Sequence, residues 1–381
     1  MIEFKVIKKS TKSRARVGVL KTPHGEIETP AFVPVATQAV IKTLDSREVI
    51  ETNSQLLIVN TFHQHIKPGE HIVRSAGGLH AFMNWPRPLM TDSAGFQVFS
   101  LGFGMDLKVG KVLKYFPSGV KELVKGDDKP KNLKITEQGV YFHNPLNGEK
   151  LFIGPKESIK IQEKLGADMI FAFDECTPPL CSFDYAQNAL KRTHSWAKIC
   201  LEIKKSNQAL FGIVQGSKYK DLRKESAKYI NSLDFPGFGI GGDMGESKKI
   251  SENILNWTLP LLDENKPRHL LGIGHLEDME LIIKNGVDLF DCITPTHYAR
   301  HGSAFTSEGK IDLGKRQYLK DKNPLDKKCS CMVCTNYRRN YICHLIKAKE
   351  ITGLKLLTFH NLHFFNNYVK NIREKIKQGK L

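Results

Sequence analysis

The sequence predicts an α/β protein folded as a (β/α)8 TIM barrel, with a small cysteine-containing subdomain inserted near its C-terminus. Two observations predict the barrel: short apolar segments alternate with helix-like stretches, and their number, eight, is the number of strands that closes a barrel. A compact group of cysteines late in the chain predicts the subdomain. The 381 residues suffice for one large α/β domain and a small appendage.

Eight apolar runs have the length of β-strands, and most are followed by a polar residue or a glycine. They are residues 31–35, 56–59, 88–90, 169–173, 210–214, 238–240, 270–273 and 287–290. Helical patterns lie between them, as in residues 158–165, 185–203 and 222–233. The first of these helices follows Pro155 and ends at Gly166. A doubly wound sheet could use the same strands, but no G-x-G-x-x-G motif follows the first strand, which weakens that alternative.

Two segments interrupt this alternation. Residues 103–132 are rich in lysine, glycine and mixed charge, and we predict a loop inserted into the barrel. Residues 139–153 contain Asn147-Gly148 between β-type residues, which predicts a hairpin. We therefore predict three parts of the chain: the barrel with both insertions, the cysteine-containing subdomain and a basic C-terminal helix, at residues 1–323, 324–364 and 365–381.

The chain carries 57 Lys and Arg residues against 40 Asp and Glu residues, a formal net charge of +17. An excess of this size indicates a polyanionic partner, most often nucleic acid, although a lysine-rich proteome would produce the same composition. The sequence contains no run of about 18 apolar residues that would predict a membrane span. The N-terminal residues lack the apolar stretch and cleavage site of a signal peptide, so we expect a cytoplasmic protein.

The C-terminal ends of the strands carry the chemistry of a (β/α)8 barrel. Polar side chains or glycines follow five of the predicted strands; they are Asp92 and Ser93, Asp174 and Glu175, Gln215 and Gly216, Gly241 and Gly242, and Asp291 and Cys292. Aspartate and glutamine can hydrogen-bond the edge of a nucleobase, and adjacent glycines let backbone amides approach a flat ligand. Phe96 and Leu271 could supply apolar faces for its ring. Two carboxylates acting on one anomeric carbon would perform glycoside chemistry, one as nucleophile and the other as acid or base.

Each of these residues also has a plainer interpretation. An aspartate after a strand often caps the next helix or forms a turn. A metal-dependent hydrolase could use the same carboxylates, but such barrels usually bring histidines to the strand ends. The nearest histidine candidate in this sequence is His275.

Cys329, Cys331 and Cys334 form a compact thiol cluster, and a closed tetrahedral zinc site would need a fourth ligand. The candidates downstream are Cys343, His344, His360 and His363. The alternative is a loop with three reduced thiols, which would be prone to oxidation without a metal. Basic residues surround the cluster, among them Arg338 and Arg339, and such a module commonly grips a phosphate backbone, although a solvated helix face has the same composition.

Several motifs in one order make the chain resemble the tRNA-guanine transglycosylase family, also called queuine tRNA-ribosyltransferase, over nearly its whole length. The matching stretches are residues 91–101 (TDSAGFQVFSL), 173–178 (FDECTP), 212–216 (GIVQG), 290–296 (FDCITPT), 329–334 (CSCMVC) and 356–362 (LLTFHNL). The resemblance implies a (β/α)8 barrel with a zinc subdomain inserted near its end.

The resemblance also implies an activity. Such a pentosyltransferase exchanges guanine at the wobble position of tRNAs with GUN anticodons for a 7-deazaguanine base, preQ1 or queuine, in queuosine biosynthesis. Asp291 matches the nucleophile that attacks C1′ and forms a covalent tRNA–enzyme intermediate. Asp92 matches the general base that deprotonates the incoming base.

Further site residues follow from the same resemblance. The residues that match base-pocket positions are Ser93, Asp174, Gln215 and Gly242, with Phe96 and Leu271 as the pair that sandwiches the ring. The residues that match the ligands of one structural Zn²⁺ per chain are Cys329, Cys331, Cys334 and His360, which selects His360 among the candidates. The expected tRNA contacts are His297 and Arg300, at positions that the resemblance gives, together with Arg338 and Arg339 of the basic residues around the cysteine cluster. A homodimer is expected as well.

The chain departs from the family pattern at several places, among them the insert at residues 103–132, which is longer than in the bacterial pattern. Residues 241–246 read GGDMGE, one residue shorter than usual in the wall that contacts the 7-substituent of the base. This shortening predicts a pocket that tolerates queuine, unless Met244 fills the space. Ala94 replaces the first glycine of a family motif, and His297 stands where bacterial members carry an arginine.

Three other functions remain open from the sequence. A noncatalytic partner subunit would only bind tRNA, but it would need neither Asp92 nor Asp291. A transglycosylase could act on a different base or nucleic acid. A barrel hydrolase for a small molecule would not account for the cysteine cluster and the basic tail.

Overall fold

The computed structural model describes residues 2–99, 133–178, 181–242, 244 and 247–381. The strands are β1 (Glu3–Lys9), β2 (Arg16–Thr22), β3 (Gly25–Thr29), β4 (Ala31–Pro34), β5 (Leu57–Val59), β6 (Leu89–Thr91), β7 (Lys134–Thr136), β8 (Gly139–His143), β9 (Lys150–Ile153), β10 (Met169–Phe171), β11 (Ala209–Val214), β12 (Phe238–Ile240), β13 (Arg268–Leu270), β14 (Leu289–Cys292), β15 (Ser303–Thr306) and β16 (Gly309–Asp312). The loop that we predict at residues 103–132 lies outside the described residues.

The helices connect these strands and cover the outside of the sheet. They are α1 (Ser46–Glu51), α2 (Thr61–Ile66), α3 (Glu70–Ser75), α4 (Leu79–Met83), α5 (Pro155–Leu165), α6 (Phe183–Ile203), α7 (Lys220–Ser232), α8 (Lys248–Thr258), α9 (Leu276–Lys284), α10 (Thr294–Arg300), α11 (Met332–Asn336), α12 (Arg339–Lys347) and α13 (Ile351–Lys377). Residues 95–99 are also helical. No helix in the described part of the chain is long and apolar enough to cross a membrane.

Eight parallel strands form a closed barrel in the order β4-β14-β13-β12-β11-β10-β6-β5. The two end strands meet through a parallel bridge between Val35 and Ile58. The amide of Ala36 also donates to the carbonyl of Ile58 at 2.8 Å. Because the sheet closes on itself and helices alternate with its strands, the predicted (β/α)8 barrel is confirmed, with all eight predicted strands present.

One strand lies at a different place than the apolar pattern predicts. β13 is Arg268–Leu270 rather than 270–273, because its first two residues are polar yet buried with partners. The backbone amide of Arg268 donates to Asp288 at 2.9 Å, and the ring of His269 contacts Asp291 at 2.8 Å. Gly272 takes a φ of +75°, outside the extended region, so the strand cannot continue through it.

The antiparallel sheet β1–β3 closes the N-terminal end of the barrel. Leu20 and Ile27 of this sheet are fully buried in one cluster with Met169, Ala209 and Leu289, the first residues of three barrel strands. An apolar plug therefore fills this end, and the opposite end, where the strands finish, is left for polar side chains.

Between β6 and β10 the chain leaves the barrel to form the antiparallel sheet β7–β9. The β8–β9 hairpin turns at Asn147-Gly148, as predicted, and Gly148 has the left-handed φ of +76° that glycine adopts readily. α5 then begins at Pro155 and ends before Gly166, again as predicted. After α5 the chain re-enters the barrel at the start of β10.

The last part of the chain packs back onto the first barrel strand. α13 has 27 residues and carries Phe365, whose ring lies 5.5 Å from that of Phe32 in β4 and 5.0 Å from that of Phe305 in β15. One continuous helix runs from residue 351 through the boundary that we predict at residue 364. The proposed division of the chain into three parts remains a prediction.

We expect Phe365→Ala to lower the free energy of unfolding by about 3–5 kcal/mol, because the lost ring would leave a cavity between the barrel and α13. Asn367→Ala, on the exposed side of the same helix, should change it by less than about 0.5 kcal/mol. Denaturant titration followed by circular dichroism measures both variants. Equal effects would contradict this account of how α13 is held.

Candidate active site and metal site

Asp92 directly follows β6 at the C-terminal end of the barrel. Its Oδ1 accepts the backbone amides of Thr61 at 2.9 Å and Ala94 at 3.0 Å. Its Oδ2 accepts the side-chain amides of Gln97, at 2.9 Å, and Asn60. Burial raises the pKa of Asp92 to about 6, although these hydrogen bonds act in the opposite direction. The carboxyl group can therefore either hold or accept a proton close to neutral pH.

The turn after Asp92 requires small residues. Ala94 takes a left-handed φ of +69°, the conformation for which the family motif has glycine, and this directs its amide to Asp92. A Cβ on Gly95 would lie 2.6 Å from the carbonyl oxygen of Asp174, closer than any side chain can approach. Alanine can thus replace glycine at position 94 with a strained backbone, whereas position 95 admits no side chain.

Asp174 lies beyond β10 and is buried. The hydroxyl of Ser93 donates to its Oδ1 at 2.8 Å, and Nε2 of Gln215 donates to its Oδ2 at 2.6 Å. Burial raises the pKa of Asp174 to about 6, and the nearby charge of Asp92 adds to this effect. Gly242 takes a left-handed φ of +80°, which side chains rarely adopt, and a Cβ there would displace the side-chain amide of Gln215. The barrel thus brings Ser93, Asp174, Gln215 and Gly242 together, as the sequence analysis expected.

Asp291 lies within β14, and the two hydrogen bonds that it makes with described residues both reach Oδ1. Nε2 of His269 lies 2.8 Å and the amide of Gly272 lies 3.1 Å from Oδ1. His269 is not among the residues predicted from the sequence, because the predicted residues follow the strands whereas His269 lies inside β13. The histidine candidate from the sequence, His275, instead lies 3.4 Å from the hydroxyl of Thr294.

Phe96 and Leu271 lie on opposite sides of the barrel opening. Phe96 is in the helical residues after β6, and Leu271 follows β13. These two strands are four positions apart in the ring of eight, so they face each other across the barrel. Both side chains are partly exposed, as the two faces of a binding slot would be.

Arg223 of α7 connects two of the loops at this end. Its guanidinium is fully buried and donates to the carbonyls of Ser217 at 2.6 Å and Gly241 at 2.8 Å. The sulfur of Met244 lies 4.0 Å from its Nη2, and the hydroxyl of Ser251 donates to the Met244 carbonyl at 2.8 Å. Met244 is buried in the core cluster that lies between barrel and helices. The other members of the shortened loop, residues 243, 245 and 246, lie outside the described residues.

A buried group far along the chain could bind a metal ion. Nδ1 of His360 lies 3.8, 3.5 and 3.3 Å from the sulfur atoms of Cys329, Cys331 and Cys334. The four donor atoms lie within 4.8 Å of one another, a spacing that suits one tetrahedral ion. Nε2 of His360 is 2.7 Å from the carbonyl of Phe305, to which it can donate, so Nδ1 is left as the ligand atom.

The other candidate ligands are less well placed. Nδ1 of His363 lies 3.7 Å from the sulfur of Cys329, the one cysteine of the cluster to which it is near. The thiol of Cys343 is directed to the carbonyl of Lys315 at 3.5 Å, and His344 is exposed. This arrangement agrees with the choice of His360.

The basic residues that we expect to contact tRNA differ in their surroundings. Arg338 is exposed, and its Nη1 lies 3.4 Å from the carbonyl of Cys334. Arg339 instead turns inward, where it contacts Asp321 at 3.1 Å and donates to the carbonyl of Leu325 at 2.8 Å. His297 and Arg300 lie on α10, which follows Asp291, and Nε of Arg300 donates to the carbonyl of Thr296 at 3.0 Å.

Comparison with known proteins identifies the family. The family model described as queuine tRNA-ribosyltransferase matches residues 10–381. Proteins named queuine tRNA-ribosyltransferase are similar to this chain: those of Desulforamulus reducens and Halothermothrix orenii are each 44% identical over 100% of this chain, covering 96% and 95% of their own lengths. The one of Macrococcus caseolyticus is 43% identical over 100% of this chain and 94% of its own. The chain therefore belongs to the queuine tRNA-ribosyltransferase family.

Proposed function

We propose that this protein is a tRNA-guanine transglycosylase that replaces guanine at the wobble position of GUN anticodons with a 7-deazaguanine base. The observation that carries the proposal is the pair Asp92 and Asp291, placed at the C-terminal end of one barrel beside a pocket of base-binding character. A subunit that only bound tRNA would need neither carboxyl group. Exchange of radiolabelled guanine into unmodified tRNA by the purified protein is the direct test, and absence of exchange would refute the proposal.

Asp291 is the proposed nucleophile. Since both of its hydrogen bonds reach Oδ1, Oδ2 remains for attack on C1′ of the ribose. A bond forms between Oδ2 and C1′, the bond from C1′ to N9 of guanine breaks, and its electron pair leaves with the base. The resulting ribosyl ester divides one difficult displacement into two easier steps.

Asp92 is the proposed acid and base. A departing guanine needs a proton on N9, and an incoming base must lose the equivalent proton, so one carboxyl group can serve both directions. Its pKa of about 6 suits both tasks, because neither protonation state is strongly disfavoured near neutral pH.

The base pocket supports a guanine-like ligand. The edge of such a base presents N–H donors beside a carbonyl, and Asp174 offers a carboxylate to the donors. With Nε2 of Gln215 committed to Asp174, its Oε1 remains an acceptor without a partner among the described residues. Phe96 and Leu271 would hold the ring between them.

The space that the pocket leaves for the 7-substituent of the base decides which base the protein prefers. Met244 packs toward Arg223 and the helices, which supports a pocket whose space it does not occupy. We therefore propose that queuine is accepted as well as preQ1. Competition of queuine and of preQ1 against labelled guanine shows whether the pocket accepts both bases or preQ1 alone.

The metal ion is proposed to be one structural Zn²⁺ per chain. Three thiolates and one imidazole are the donor set of structural zinc sites. When bound, the ion would cross-link the segment that carries the three cysteines to α13. We further propose that His297, Arg300 and the exposed Arg338 face the tRNA, while Arg339, which is paired with Asp321, supports this surface from within. We also propose that the protein acts as a homodimer and that it is cytoplasmic.

Asp291→Asn should form no denaturant-resistant adduct with tRNA, and guanine exchange should fall by at least about 10³-fold, because an amide oxygen is a poor nucleophile. Gel electrophoresis under denaturing conditions and guanine exchange measure the two effects. Asp184→Asn, an exposed change in the first turn of α6, serves as the control. An adduct of wild-type yield in Asp291→Asn would exclude this residue as nucleophile.

The pH dependence of base insertion should report on Asp92. Because its pKa is raised to about 6, the carboxylate form dominates only above that pH, so the insertion rate from the isolated covalent intermediate should rise with pH and level off above about 6. Asp92→Asn should slow this step by about 10²–10⁴-fold and remove its pH dependence. Asp174→Asn should instead raise KM for the base. A pH profile unchanged in Asp92→Asn would contradict the assignment.

Purified protein should contain one zinc per chain, and Cys331→Ser should lose it together with local folding, because apparent binding energies of structural zinc are about 10–16 kcal/mol. Cys343→Ser, which changes a buried thiol outside the group, should keep the metal. Elemental analysis and thermal unfolding measure both. Full zinc content in Cys331→Ser would refute the site.

A further inference from the structure

We infer that His269 is a positioning residue for the reacting carboxylate: as a neutral donor to Oδ1 of Asp291, it keeps that oxygen out of the reaction and assists departure of the carboxylate from the ribosyl ester. The inference rests on the proposed function, since it assigns a role within the same site. It concerns a side chain that lies inside a barrel strand.

The geometry separates the two oxygens of Asp291. His269 is fully buried, and its Nε2 lies 2.8 Å from Oδ1. The amide of Gly272 donates to the same oxygen at 3.1 Å. Among the described residues, no hydrogen bond reaches Oδ2. Two donors therefore fix the orientation of the carboxylate and leave one oxygen to form the bond to C1′.

The surroundings of the ring select its protonation state. Nδ1 of His269 is buried and has no hydrogen-bond partner among the described residues. The ring packs at 5.5 Å from the apolar ring of Phe171. A proton on Nδ1 would place an N–H group where nothing accepts it, which is costly. The form with its proton on Nε2 alone is therefore favoured, and that N–H group donates to Oδ1 of Asp291.

The same hydrogen bond has opposite effects on the two half-reactions. When Oδ2 bonds to C1′, Oδ1 becomes the carbonyl oxygen of a neutral ester, so the donated hydrogen bond weakens. When the incoming base attacks C1′, the bond from C1′ to Oδ2 breaks, and its electron pair returns to the carboxylate. Negative charge then spreads to Oδ1, where the N–H groups of His269 and Gly272 already point. The donor thus favours the free carboxylate over the ester.

Removal of the donor should therefore shift the partition toward the covalent intermediate. We expect His269→Phe and His269→Leu to raise the ratio of adduct to noncovalent complex by about 10- to 100-fold, with slower resolution by added guanine. His269→Gln, which can present a side-chain N–H donor, should restore most of the wild-type ratio. Quench-flow sampling and denaturing electrophoresis measure the ratio and both rates.

The outcomes separate three cases. A purely structural role would reduce the folded fraction and slow both half-reactions without changing the ratio, and an unchanged ratio in the folded donor-free variants overturns the inference. If wild-type protein neither forms an adduct nor exchanges guanine, the proposed function itself fails. If the donor-free variants do not fold, nitrogen NMR of histidine-labelled wild-type protein decides: the neutral Nε2–H form of His269 is expected, and an Nδ1–H form or an imidazolium overturns the inference.

Discussion

The desolvation of the carboxyl groups of Asp92, Asp174 and Asp291 at one end of a closed barrel is the constraint on which the site depends. A carboxylate removed from water is costly unless hydrogen-bond donors replace the solvent. Parallel strands that end at a common rim bring such donors together from separate parts of the chain. Asp92, for example, receives donors from the start of α2 and from its own turn, while Asp174 receives one from the loop after β6 and one from the residue that follows β11.

The unequal supply of donors gives the carboxyl groups different chemistry. For Asp92 and Asp174, desolvation outweighs four and two hydrogen bonds respectively, and the pKa of each carboxyl group rises to about 6. Asp291 receives its bonds on one oxygen, so its environment distinguishes the two oxygen atoms instead. The proposed proton carrier and the proposed nucleophile thus differ in their surroundings although both are aspartates.

The sequence predicted the barrel well because apolar runs and strand-ending polar residues have strong local signals. The β8–β9 hairpin and the boundaries of α5 followed from glycine and proline positions for the same reason. The polar start of β13 could not be predicted from local signals, since Arg268 and His269 are buried only because of partners distant in sequence. Likewise, composition alone could not reveal that Arg339 turns toward Asp321. Pairings of this kind are properties of the tertiary fold.

The candidate metal-binding group and the barrel opening are joined by one helix, although a bound ion would take no part in the chemistry. His360 of α13 is anchored to the carbonyl of Phe305, and the next residue, Asn361, donates to the carbonyls of Pro295 and Ser303, each at 3.0 Å. Pro295 belongs to α10, the helix that directly follows Asp291. Since these bonds all come from one turn of α13, a metal ion that fixed His360 would also fix the backbone after Asp291, the proposed nucleophile. A structural ion can therefore influence catalysis by holding α10, without any contact with the substrate.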